Sequence, residues 1–202
     1  KSGMALTLRV LTPENANGKA VINLVSGGWR SSYNNSQGEY LRTAYPFINN
    51  GYTVFLVIHS SAPRFSINHQ LGDILRSIQF VRYNAKKYNI DPKNIAIRGH
   101  SSGGHLSLLA ATSNDIINKR SKDPISRVSS KVQAVVAFSP LTDFLNWDWG
   151  KEGIFEIRQK KTFLKNFGVW GSFNYTKMDE KTKVFVPIQS VDENRRLDSL
   201  LS

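Results

Sequence analysis

Cysteine is absent from all 202 residues, so the chain can form no disulfide, thiolate metal site or cysteine nucleophile. Long apolar runs are also missing: no stretch of about 18 consecutive apolar residues occurs, and no transmembrane helix is predicted. Residues 1–4 lead directly into an alternating segment and carry no apolar core of a signal peptide. Neither absence indicates a compartment, and localisation stays open.

Acidic residues are scarce, with 15 Asp and Glu against 27 Lys and Arg, which gives a net charge of +12. Such an excess raises the question of nucleic-acid binding, because Lys and Arg neutralise phosphates. The basic residues are scattered, with mild enrichment over 119–131 and 151–165, and no zinc-finger, RNP or helix-turn-helix pattern accompanies them. We therefore predict no nucleic-acid partner and interpret the charge as a solvated surface. Steep salt dependence of binding would indicate the opposite.

Strand-like and helix-like segments alternate over the first 140 residues. Residues 5–11 alternate apolar with polar side chains, which is typical of a half-exposed strand, whereas Ala20–Val25 is typical of a strand buried on both faces. Further strands are predicted over 54–59, 94–98 and 132–138, and helices over 40–49, 71–88 and from 101 to about 111. This alternation predicts an α/β fold with a mostly parallel sheet and helices on both faces.

The region after Asp143 differs in character, since it is rich in aromatic and charged residues and has no strand–helix period. We interpret residues 1–202 as one domain with a core over 4–143. Residues 144–199 are predicted to form a lid-like or peripheral insertion.

The sequence Gly99-His-Ser-Ser-Gly103 matches G-x-S-x-G and lies between a predicted strand and a predicted helix, the setting of a nucleophile elbow. Ser101 would then be a catalytic nucleophile on a sharp, strained turn, with both flanking glycines required because side chains there would collide. The helix that follows would direct its free N–H groups towards developing negative charge. A phosphate-binding loop and a plain strand–helix turn are the alternatives.

A second glycine turn, Ser26-Gly-Gly-Trp29, follows the buried strand that ends at Val25. Acyl transfer needs N–H donors near the oxyanion, and glycine lets the backbone approach closely. We predict that Gly27, Gly28 and Ser102 form an oxyanion hole. The alternative is a simple tight turn.

The run from Asp73 to His105 closely resembles the esterase/lipase family of α/β hydrolases, and its nearest branch looks like the bacterial carboxylesterases of the BD-FAE type. The turn at Gly27 is similar to that family's H-G-G-G-W turn, with Val25 and Ser26 in place of its histidine and first glycine. The resemblance covers about residues 4–143. It implies an α/β-hydrolase fold and carboxylic-ester hydrolysis, with a small-molecule or carbohydrate-linked ester as substrate and no metal or organic cofactor. Export would suit the family's work on plant polymers.

The family's order places the triad acid and then its histidine after the nucleophile, on the last strands of the sheet. No histidine follows His105 here, so the fold is expected to be incomplete at its C-terminal end and the chain nearly inactive alone. Within the chain, Trp29, His59 and His100 are candidates for lining the pocket. Asp143 is a candidate displaced acid, or a helix N-cap.

Two further expectations remain open. The first is that the chain is a non-catalytic binding module that keeps the hydrolase fold, which a fluorophosphonate probe would distinguish from an esterase. The second concerns the strand predicted over 132–138, which would be an open sheet edge. We expect this edge to be covered by residues 144–199 or by pairing with another chain.

Overall fold

The computed structural model describes residues 6–62 and 64–142, together with the backbone of 177–178 and 185–186. Asp143 and most of the predicted insertion over 144–199 lie outside the described residues. The strands of the main sheet are β1 (Leu8–Leu11), β2 (Ala20–Val25), β3 (Thr53–Ile58), β4 (Ile95–His100) and β5 (Ala134–Phe138). The helices are α1 (Glu39–Arg42), α2 (Tyr45–Ile48), α3 (Ile67–Tyr83) and α4 (Ser102–Thr112). Strands β6 (Lys177–Met178) and β7 (Phe185–Val186) form a separate antiparallel pair.

The main sheet has the order β1-β3-β2-β4-β5, in which β1 is antiparallel and the other strands are parallel. Strand β2 is central and every one of its residues is buried, which confirms the prediction from its apolar run. Its first residue, Ala20, pairs with Thr53 on one side and Ile95 on the other. The carboxyl ends of β2, β3 and β4 therefore meet at one edge of the sheet, where open α/β sheets bind their ligands.

Helices cover both faces of this sheet, as predicted. On one face, α3 and α4 bury Ile78 and Leu106 in the main core with Ile22 of β2. On the other face, α1, α2 and their connection cover a smaller core that contains Ala44 and Leu56. The longest described helix, α3, has 17 residues, and none of the described helices has the length and hydropathy of a membrane span.

Two helices differ from the predictions. The helix expected over 40–49 is two short helices, α1 and α2, because Pro46 has no N–H with which to continue the hydrogen bonding of α1. Helix α3 begins at Ile67, one turn before residue 71, so His69 lies in the helix and not in a preceding loop. Asp73 is consequently outside the first turn, and its Oδ2 accepts a hydrogen bond from the Ser60 N–H at 3.0 Å.

Strand β5 is the last strand of the described sheet, on the side of β4. Its apolar side chains are exposed among the described residues: Val135 by 37%, Val136 by 43% and Phe138 by 48%. An apolar edge strand invites pairing with further chain. Coverage of β5 by residues 144–199 or by another chain stays a prediction.

Candidate active site

Ser101 lies on the predicted sharp turn between a strand and a helix. It directly follows β4, precedes α4, and has φ 53° and ψ −121°, a backbone conformation that non-glycine residues rarely adopt. Its N–H donates to the Phe138 carbonyl of β5 at 2.9 Å, and its carbonyl accepts from the His105 N–H at 3.0 Å. The residue is half-buried, and its Oγ has no hydrogen bond to any of the described residues.

The glycines around Ser101 differ in how much space the turn leaves for a side chain. A Cβ on Gly99 would lie 2.2 Å from the Gly103 carbonyl oxygen, so only glycine fits at position 99. The nearest atoms to a Cβ on Gly103 are at 3.4 Å, an ordinary contact, so the expectation of a collision there is wrong. Gly104 is more confined, since its Cβ would lie 3.0 Å from the Phe138 carbonyl oxygen, and the motif gave no indication of this.

The turn after β2 is closed by two backbone hydrogen bonds between Gly27 and Arg30, of 2.9 and 3.0 Å. Gly28 and Trp29, its central residues, have φ values of 55° and 58°. The Gly27 N–H already donates to the Arg30 carbonyl, so Gly28 carries the available N–H of this turn. The oxyanion roles of Gly27 and Gly28 stay predictions. The Gly28 N–H has no hydrogen-bond partner within the described ranges.

A serine pair brings this turn against the start of α4. The hydroxyls of Ser26 and Ser102 are 3.1 Å apart, and both residues are buried. The Tyr40 hydroxyl accepts the Ser26 N–H at 3.1 Å and so fixes the turn from the α1 side. The turn after β2 and the turn after β4 therefore lie side by side at the same edge of the sheet.

Trp29 was a candidate for lining the pocket. Its side chain is only 2% exposed and belongs to the main core, so it does not line a pocket among the described residues. Its indole N–H donates to His105 Nδ1 at 3.2 Å, and the two rings meet edge to face. A buried indole N–H needs such a partner, and His105 provides it.

His59 lies at the carboxyl end of β3, on the wall of a cleft of about 500 Å³. The cleft is otherwise lined largely by apolar and aromatic side chains and by two serines: Leu6, Thr7, Ser31, Tyr33, Ile58, Ser61, Ala62, Arg64 and Phe65. The His59 imidazole is 2% exposed and donates from Nδ1 to the Ser60 carbonyl at 2.7 Å. Burial lowers the pKa of His59, which keeps the ring neutral.

The two remaining histidines make their described contacts elsewhere. His100 is exposed and, with Arg98 and Tyr40, lines a small polar cleft of about 50 Å³. His69 Nδ1 is 2.9 Å from the Ser66 hydroxyl. No imidazole in the part of the chain that the structure describes is hydrogen-bonded to Ser101 Oγ. The described residues also contain no group of three or more His, Cys, Asp or Glu side chains that could hold a metal ion.

Burial also lowers the pKa of His105, to about 4. In the unfolded chain this imidazole takes a proton near pH 6.5, whereas in the folded chain it stays neutral until about pH 4. The unfolded state therefore binds more protons between these values, and stability should fall as the pH decreases from 6.5 to 4. We expect His105 to account for up to about 3 kcal/mol of this loss.

Urea unfolding of the wild type and His105→Leu across this pH range checks that expectation. The variant should lose less stability on acidification, although its stability at pH 7 is lower. Parallel curves for the two proteins would contradict it. His59 has a lowered pKa in both proteins and leaves a common slope.

The family model of BD-FAE matches residues 8–196. The chain belongs to the BD-FAE family. An acetylxylan esterase of Xylanibacter ruminicola is 31% identical to it over 100 residues, which cover 50% of this chain and 20% of that protein. Among solved structures, an acetyl ester-xyloside bifunctional hydrolase of Caldicellulosiruptor lactoaceticus is 26% identical, with a TM-score of 0.59 over 71% of this chain and 51% of the other. A truncated carbohydrate esterase from the gut microbiota is 30% identical, with a TM-score of 0.60 over 69% and 53%.

These likenesses confirm the α/β-hydrolase fold of the BD-FAE chain. The chain spans about half the length of these solved structures and about a fifth of the acetylxylan esterase.

Sequence reasoning missed an arginine beneath the elbow of the BD-FAE chain. Arg98 is only 8% exposed and is held between the rings of Phe47 and Phe138, at 5.5 and 5.1 Å. Its Nη1 donates to the Thr43 carbonyl at 3.0 Å, and burial lowers its pKa. The only available signal was a charged residue inside an otherwise apolar strand, which placed Arg98 in β4 without indicating its partners.

Proposed function

We propose that the protein is a serine carboxylic-ester hydrolase that acts through an acyl-enzyme on Ser101. The observation that carries this proposal is the left-handed backbone of Ser101 at the junction of β4 and α4. That conformation lifts the hydroxyl away from the sheet, and it persists only where the surrounding structure enforces it. The family membership of the chain supports the same reaction.

In this proposal, Ser101 Oγ attacks the ester carbonyl carbon while its proton passes to a general base. The carbonyl oxygen becomes an oxyanion that accepts hydrogen bonds from the N–H groups of Ser102 and Gly28. Each such donor typically contributes about 2.7–4 kcal/mol to the transition state. Collapse of the intermediate breaks the bond to the alcohol, which leaves with a proton. Water then attacks the acyl-enzyme and releases the acid.

The general base is not assigned among the described residues, where no imidazole is hydrogen-bonded to Ser101 Oγ. His59, His69 and His105 each have another hydrogen-bond partner, and His100 lies beside Arg98 and Tyr40. We propose that the base lies outside the described residues. Asp143 stays a candidate acid, in a position outside the described residues.

We further propose an ester of a carbohydrate as the substrate. Relatives and structural neighbours of the chain carry names of acetylxylan and carbohydrate esterases. The cleft beside His59 is lined by Ser31, three residues after the proposed donor Gly28, and by the exposed ring of Tyr33. Such a surface suits the part of a substrate that does not react, because sugar rings pack against aromatic faces.

Covalent labelling tests the proposed function in the protein as encoded, including any sequence beyond residues 1–202. A fluorophosphonate should label one peptide, the one that contains Ser101, because labelling requires an activated serine. The same preparation should release acetate from acetylated xylan. Ser77→Ala is the matched control, since its hydroxyl bonds only to the Ile74 carbonyl one turn back in α3. Absence of labelling would favour a non-catalytic binding module.

A further inference from the structure

The turn that carries the proposed oxyanion donor contains a conformation that requires support. Trp29 has φ 58°, a left-handed backbone conformation that is strained for a bulky side chain. Gly28 and Trp29 are the two central residues of a turn that is closed by the hydrogen bonds between Gly27 and Arg30. Relaxation of Trp29 towards ordinary backbone angles would therefore have to be compensated at Gly28, which would change the direction of its N–H. The direction of that N–H therefore depends on what holds Trp29 in place.

Trp29 is held from two sides. Its carbonyl accepts hydrogen bonds from the Ala62 N–H at 3.0 Å and from Gln70 Nε2 at 3.2 Å, which tie the turn to the start of α3 and the segment before it. Its indole N–H donates to His105 Nδ1 at 3.2 Å. An indole N–H can only donate, so Nδ1 must be the acceptor, and the neutral imidazole carries its proton on Nε2.

His105 belongs to the same helical turn as the proposed nucleophile. Its backbone N–H donates to the Ser101 carbonyl at 3.0 Å, and Ser102, the second proposed oxyanion donor, lies in the same first turn of α4. A direct chain of contacts thus runs from the Gly28 N–H through Trp29 and His105 to Ser101. The Ser26–Ser102 hydroxyl pair joins the same two turns at the other end.

We propose that His105 is a positioning residue, which holds Trp29 through Nδ1 and thereby fixes the Gly28 N–H relative to Ser101 and the Ser102 N–H. This inference rests on the proposed ester hydrolysis. His105 does not touch the substrate in this role. It sets the separation and direction of two amide donors that must both reach the oxyanion.

The proposal predicts a selective loss of kcat. In the protein as encoded, His105→Leu and Trp29→Phe each remove the hydrogen bond, and kcat for p-nitrophenyl acetate should fall about 10- to 100-fold because a misplacement of about 1 Å has effects of that size. KM should change less than about twofold, since the donors act mainly on the transition state. The double variant should be no slower than the slower single variant, because both changes break one link.

Two conservative variants distinguish positioning from packing. His105→Asn places an amide oxygen near the position of Nδ1 and should recover most of the lost kcat. His105→Gln has nearly the same chemistry but carries its amide one bond further away, and should not. All rates are measured at a temperature where each variant is folded by circular dichroism, so that a loss of stability is not read as a loss of rate.

The results of these experiments distinguish the positioning role of His105 from the proposed ester hydrolysis. A wild-type esterase in which folded His105→Leu keeps its kcat, or in which Asn and Gln behave alike, would overturn the positioning role and leave the proposed function intact. So would losses that multiply in the double variant. A wild-type protein without ester turnover would overturn both.

Discussion

Replacement of Ser101 by alanine is expected to lower the kcat for p-nitrophenyl acetate by about 10⁶-fold in the protein as encoded, the loss typical of removing the serine from a working triad. The hydroxyl at this position has no hydrogen bond to any described residue, and its removal leaves the backbone of the elbow unchanged. The unfolding free energy should therefore stay within about 0.5 kcal/mol of the wild type. Steady-state kinetics and urea unfolding, measured on the same preparation, check both expectations.

Ser77→Ala accompanies this experiment as a serine variant on the outer part of α3, and it should retain the wild-type rate. The 202-residue chain is a second comparison, because it shows whether residues 1–202 suffice for turnover. Turnover by that chain that Ser101→Ala abolishes would place the general base within these residues. A folded Ser101→Ala protein that keeps its activity would end the serine mechanism.

A methyl group at position 99 is expected to have the largest effect on stability. The Cβ of Gly99→Ala would lie 2.2 Å from the Gly103 oxygen and 2.3 Å from its carbonyl carbon. Both atoms belong to the backbone of α4, which cannot move without displacing Ser101. We expect a loss of at least about 3 kcal/mol in unfolding free energy, at the upper end of the range for overpacked sites. Thermal and urea unfolding measure it.

Gly72→Ala is the matched control for this variant. Gly72 is exposed within α3, and apart from its chain neighbours and the nearby backbone of the helix itself no atom lies within 4 Å of the position of its Cβ. Alanine there should raise stability by about 0.5–1 kcal/mol through its higher helix propensity. Gly103→Ala should be better tolerated than Gly99→Ala, because its nearest contacts are at 3.4 Å. Equal losses at 99 and 103 would contradict the geometry described for the elbow.

Much of the fold could be predicted because local pattern and burial agree in this chain. The run Ala20–Val25 is apolar enough to indicate a central strand, and β2 has those bounds. The strand, G-x-S-x-G and helix succession likewise predicted the turn at Ser101. Boundaries were less accurate where a single residue overrides the pattern, as Pro46 does between α1 and α2.

The site was predicted less completely because its details depend on contacts distant in sequence. Which amide of the glycine turn is available depends on the bond between Gly27 and Arg30, and no motif specifies it. The partnership of Trp29 with His105 spans 76 residues. The predicted helix to about residue 111 includes His105, but the sequence could not identify an indole as its partner. Aromatic residues in glycine turns can equally line a pocket.

The register of β2 against β4 has a consequence for how the site is acquired during folding. Ala20 pairs with Ile95, which is about 75 residues further along the chain. The glycine turn after β2 and the turn at Ser101 each involve only a few neighbouring residues. Loops of that length close slowly, because their chain entropy is lost before any pairing compensates for it. We therefore expect that neither the glycine turn after β2 nor the turn at Ser101 can act in the proposed reaction when it first forms. For the proposed ester hydrolysis, we expect activity to return late in refolding, when two remote segments of the chain become neighbours in the sheet.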